Sequence, residues 1–89
     1  MITLLQAQAI ARCRVDQMQS KIGLELKIVR YDIKPYGWIF YYDVDPSGAH
    51  ASEVLAGNAP FLVTASDGQV HVLGAAHPIE FYLKRFEQG

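Results

Sequence analysis

The chain is expected to fold as an α+β domain: an N-terminal helix, a four-stranded, mainly antiparallel sheet, and a C-terminal helix packed on that sheet. Three observations carry the expectation. Apolar residues before Gly23 recur at three- and four-residue steps, those from Leu24 onward alternate with polar ones, and a short helical pattern returns after Pro78. At 89 residues the chain has the size of one domain, 1–89. With 51% hydrophobic and 11% aromatic residues it can build a dense core, which a domain this small needs.

The first helix is announced by Thr3 and Gln6, spaced as a capping box. Leu4, Ala7, Ala11, Val15 and Met18 form its buried stripe, and Gly23 suits a left-handed cap after Lys21 and Ile22. Leu5, Ala9 and Cys13 make a second apolar row beside the first. This row is either wedged between layers or exposed for contact.

Leu24, Leu26 and Ile28 alternate with Glu25 and Lys27, as in a strand with one wet face. The phase then slips, because Val29, Tyr31 and Ile33 carry the apolar residues next. A bulge, or a strand covered on both faces, would account for the slip. Lys34-Pro35-Tyr36-Gly37 reads as a turn. Residues 38–44 read as a central strand, with Trp38, Phe40, Tyr42 and Val44 on one face and Ile39 and Tyr41 on the other. Asp45-Pro46-Ser47-Gly48 opens a loop that runs to Asn58, with one helical turn expected around residues 51–55.

Residues 61–64 read as a short strand, which Pro60 can precede without harm from its missing amide. Ser66-Asp67-Gly68 reads as an Asp-Gly hairpin turn with left-handed residues, and residues 69–73 return antiparallel. Pro78 fits the first turn of the closing helix, whose buried stripe is Ile79, Tyr82, Leu83 and Phe86.

The formal net charge of −1 hides an asymmetry. Residues 1–30 hold five basic and two acidic side chains, a net +3, whereas residues 31–83 hold one basic and six acidic, a net −5. Nucleic-acid binders carry a basic excess on one face, so that class is not expected. An acidic centre could steer a basic partner, although an ordinarily solvated surface explains it as well. The apolar runs are too short for a membrane span, and the start lacks the basic region of a signal peptide. Cys13 stands alone, so no intramolecular disulfide is expected and a reducing, cytoplasmic setting is.

No catalytic pattern is evident. His50, His71 and His77 have no metal-ligand spacing to a Cys, Asp or Glu, so no metal and no cofactor is expected. His71 is expected to face out of its hairpin. Cys13 with a histidine could form a thiol nucleophile, but mid-helix beside an apolar stripe it reads as a small hydrophobe. Asp43 and Asp45 could act as an acid/base pair; a solvated strand end is the better reading. Gly57-Asn58 is a backbone turn rather than a phosphate loop.

The aromatic set Tyr31, Tyr36, Trp38, Phe40, Tyr41 and Tyr42 is the most unusual feature. A sheet backed on one side only cannot hide all six, so some would reach the surface as interface anchors. Helices on both faces would instead absorb them. Both readings stand at this level.

The run LAGNAPFLV (residues 55–63), the turn at residues 66–68 and the run VHVLGAAHPIEFYLKRFE (residues 70–87) resemble the immunity protein 35 family, which includes the YrhB-like small bacterial proteins. Gly57, Asn58, Pro60, Gly68, Gly74, Pro78 and Tyr82 carry the resemblance and mark a fold rather than an active site. The resemblance implies a non-enzymatic cytoplasmic antidote that binds and blocks a toxin of a polymorphic toxin system. For the YrhB-like members it implies a heat-stable, chaperone-like protein instead. On either reading the partner is a protein, with Tyr36, Trp38, Tyr41, Asp43, Asp45 and Glu53 as the candidate contacts. A homodimer through a sheet edge or the spare helix face is compatible with the sequence.

Overall fold

The computed structural model describes residues 1–45, 59–74 and 76–87. The elements are α1 (Leu4–Ile22), β1 (Leu26–Lys34), β2 (Gly37–Val44), β3 (Phe61–Thr64), β4 (Val70–Val72) and α2 (Ile79–Glu87). The strands form one antiparallel meander in the order β1-β2-β3-β4. The fold is therefore the expected α+β arrangement, with β2 inside the sheet. The expected turn around residues 51–55 lies outside the described residues.

The capping box forms at α1. The Thr3 hydroxyl accepts from the Gln6 amide at 3.2 Å, and the Gln6 side chain accepts from the Thr3 amide at 2.9 Å. Gly23 closes the helix in the left-handed region, φ 73°, and its amide donates to Gln19 O. The Gln19 side chain accepts from the Leu26 amide at 2.7 Å, which ties the end of α1 to the start of β1.

Two apolar layers sandwich the sheet. On one face Ala7, Ala11 and Val15 of α1 meet Leu26, Phe40, Val44, Phe61 and Val63. The two alanines let the helix approach closely enough to exclude water from Phe40. On the other face Ile39, Leu62 and Leu73 meet Leu83 of α2, with Tyr36, Tyr41, Ile79, Tyr82 and Phe86 packed around them. All four residues of β3 are buried, as a strand covered on both sides requires.

The phase slip after Ile28 is a bulge: Ile28 pairs with Tyr42 and Arg30 with Tyr41, leaving Val29 as the extra residue. The turn between β3 and β4 departs from expectation. Only Gly68 has a positive φ, 72°, so Asp67 is not left-handed and the turn is not the two-residue Asp-Gly form. Four residues, 65–68, bridge the backbone of Thr64 and Gln69. The Thr64 hydroxyl donates to Asp67, and the Asp67 carboxylate also accepts from the Gln69 amide. Side-chain bonding thus holds the wider loop without a second left-handed residue.

Candidate protein-binding surface

The two helices cover the sheet unequally. The α2 layer is centred on β3, β4 and the adjoining part of β2, whereas the same face of β1 and β2 carries a polar group. There the Arg30 guanidinium lies 3.7 Å from the centre of the Tyr41 ring and 3.0 Å from Asp32 Oδ1. The Tyr41 hydroxyl donates to Asp32 Oδ2 at 2.9 Å. Burial, and then the Asp32 carboxylate, raise the Tyr41 phenol above its usual value. Three side chains therefore hold one another in a fixed arrangement on a surface that solvent still reaches.

Asp43 continues this face. It is exposed, stands opposite Lys27 across the strands and accepts from the Val44 amide at 2.7 Å. Asp45 lies one residue past β2, where its amide donates to Glu25 O at 2.7 Å.

Tyr36 sits on the α2 side, half-buried, with its ring 5.9 Å from Phe86. Its hydroxyl is buried without a partner, and burial with the nearby Glu87 charge raises its pKa. Trp38 lies on the opposite face, half-buried against the α1 core. The structure therefore brings Tyr41 and Asp43 together, places Tyr36 further along the same side, and directs Trp38 elsewhere. Glu53, Gly57 and Asn58 lie outside the described residues.

Among the other motif positions, the Pro60 carbonyl accepts from the Leu73 amide at 3.0 Å and extends the β3–β4 register. Gly74 has the Tyr82 ring against its α-carbon, so any Cβ would collide with that ring. The Tyr82 hydroxyl accepts from the His77 amide at 3.1 Å, which locks the entry to α2, and Pro78 directly precedes the helix. His71 does not face out of its hairpin: it is half-buried with its ring 5.1 Å from Phe86 in an edge contact. The cause is α2, which covers the face that His71 shares with its neighbour Leu62.

Three features were missed in the sequence. Arg30 and Asp32 are two apart on one strand, and that spacing alone puts them on one face. Val29, Tyr31 and Ile33 remain exposed along β1. A groove of about 430 Å³ between β4 and α2 is flanked by exposed Val72 and Phe81. Cys13 is exposed on α1, and among the described residues no group of three His, Cys, Asp or Glu is placed to hold a metal ion. No helix among the described residues is long and apolar enough to cross a membrane.

Comparison with known proteins finds similarity in sequence over part of the chain. The chain is 41% identical over 54 residues to the uncharacterized protein YrhB of Escherichia coli strain K12. The match covers 57% of this chain and spans about half, 56%, of that protein. No family model matches the chain, and no solved structure does.

Proposed function

We propose that this chain is a non-catalytic protein-binding domain that acts as a cytoplasmic immunity protein, capturing and neutralising a cognate bacterial toxin. The observation that supports this reading is the β1–β2 face that the two helices leave open among the described residues, with its Arg30–Asp32–Tyr41 cluster. Side chains already locked in place lose little conformational freedom on binding, and tyrosine and arginine are favoured interface anchors. Asp43 and Asp45 at one end of this face suit a partner with basic residues.

A tagged pull-down from the native source at moderate salt tests the proposal. It is supported by one stoichiometric protein that is toxic when expressed alone, and it fails if no such partner is retained. With the complex in hand, Tyr41→Ala and Asp43→Lys should each weaken binding by at least about tenfold, roughly 1.4 kcal/mol. Unchanged affinity in both variants would remove this face from the interface.

A chaperone-like, holdase activity is the second reading. It is favoured by the groove between β4 and α2, which is flanked by the exposed apolar side chains Val72 and Phe81. Suppression of aggregation of several unrelated clients would select it over the antidote reading.

A further inference from the structure

We infer that the outer edge of β1 pairs antiparallel with β1 of a second copy, about a two-fold axis at Tyr31, to give one continuous sheet. The inference stands apart from the toxin-binding proposal. Among the described strands β1 has a single neighbour, and at nine residues it is the longest strand. The opposite edge, β4, has only three residues and lies beside α2. A long edge offers a row of unpaired backbone donors and acceptors, which proteins otherwise blunt with short strands or covering elements. Here three apolar side chains are left on it: Val29 is 54% exposed, Tyr31 38% and Ile33 70%.

The second copy is the occupant because the strand is complementary to itself. A two-fold axis perpendicular to the sheet keeps each face continuous, so a residue meets one of its own face. With the axis at Tyr31, Tyr31 meets Tyr31 and Arg30 meets Asp32. Arg30 and Asp32 are already paired at 3.0 Å within the chain. The two copies would therefore close a ring of four alternating charges on one face, with Tyr31 and Ile33 on the other. Neighbouring registers lose this match. An axis at Arg30 sets Arg30 against itself, and an axis at Asp32 sets Asp32 against itself and Arg30 against Lys34; like charges directly opposite are destabilising. The bulge at Val29 breaks the alternation of the strand and limits the matched pairing to about residues 30–32. So short a contact forms a reversible dimer.

Sedimentation equilibrium of the full chain over a wide concentration range is the first test. The mass should rise from the 9.9 kDa monomer towards twice that value. Arg30→Asp puts carboxylates opposite one another and should weaken the dimer by at least about tenfold, whereas Arg30→Asp with Asp32→Arg should restore it. Register is read independently in a Cys13→Ser background, where Tyr31→Cys should give a disulfide-linked dimer under mild oxidation and Ile33→Cys should not. That readout needs no charge change at Arg30, so it stands if Arg30→Asp fails to fold. A monomer at every concentration, a charge swap that does not restore the dimer, or cross-linking through position 33 in place of 31 would each overturn the inference.

Discussion

Two tyrosines at the same sheet face illustrate how a hydroxyl's partner decides its worth. Tyr41 donates to Asp32, whereas the Tyr36 hydroxyl is buried with nothing to bond. Tyr36→Phe should therefore be neutral or stabilise by up to about 1 kcal/mol, because it deletes an unsatisfied group. Tyr41→Phe should instead destabilise by about 1 kcal/mol, since Asp32 loses a donor. Urea unfolding of the two variants checks the difference in sign. Gly74 works by absence: a Cβ there would push into Tyr82 and loosen the His77 amide contact. Gly74→Ala should cost roughly 1–3 kcal/mol, as overpacking does. The family-like residues Gly74 and Tyr82 were legible as a pattern, but the collision that explains them joins residues eight positions apart through a fold that the pattern does not contain.

At the level of elements, the loop between β3 and β4 depends on one carboxylate. Hydrogen bonding from Thr64, then from the Gln69 amide, lowers the Asp67 pKa below its usual 3.8. A depressed folded pKa means that this contribution is present above the unfolded value and is lost as pH falls through the lower, folded one. The hairpin should hold at neutral pH and loosen below about pH 4, the ordinary carboxylate range. Amide exchange at Gly68 and Gln69, followed through an acid titration, reads this directly, and Asp67→Asn should shift or abolish the transition. The same loop shows what a sequence pattern leaves open. Asp67-Gly68 announces a turn, yet turn length was set by Thr64, whose hydroxyl and backbone both engage the far side of the loop. The start of α1 was fully legible, since Thr3 and Gln6 lie within one turn and need nothing else. The bulge was legible as a slip in the apolar phase after Ile28.

Across the whole molecule the decisive fact is that the two helices lie on opposite faces of the sheet. This absorbs most of the aromatic surplus: Phe40 is fully buried, while Tyr36, Trp38, Tyr41 and Tyr42 are half-buried. Of the two readings of those aromatics, cover on both faces accounts for Phe40, Tyr36, Trp38 and Tyr42, while Tyr41 packs at the margin of the α2 layer with its polar side open. Tyr31 on the edge strand is the one that remains exposed. Removing the α2 cover should therefore be costly. Leu83→Ala should destabilise by about 2–5 kcal/mol and leave Ile39, Leu62 and Leu73 facing a cavity. Thermal unfolding and dye binding to newly exposed apolar surface would report it.

By itself the sequence determined the local elements, their order, the inward stripe of each helix and the two-faced character of β2. These follow from spacings of two, three and four residues, which the backbone geometry of strand and helix reads without outside help. Which sheet face each helix covers was decided only by tertiary structure. A helix stripe states which side of the helix must be buried but not against what, and both faces of β2 are apolar enough to accept one. The uncovered β1–β2 face, the contact of His71 with Phe86 and the exposed edge at Tyr31 all follow from that choice. The candidate binding surface is thus the part of the sheet that the helices leave uncovered, a property of packing between distant segments rather than of any single motif.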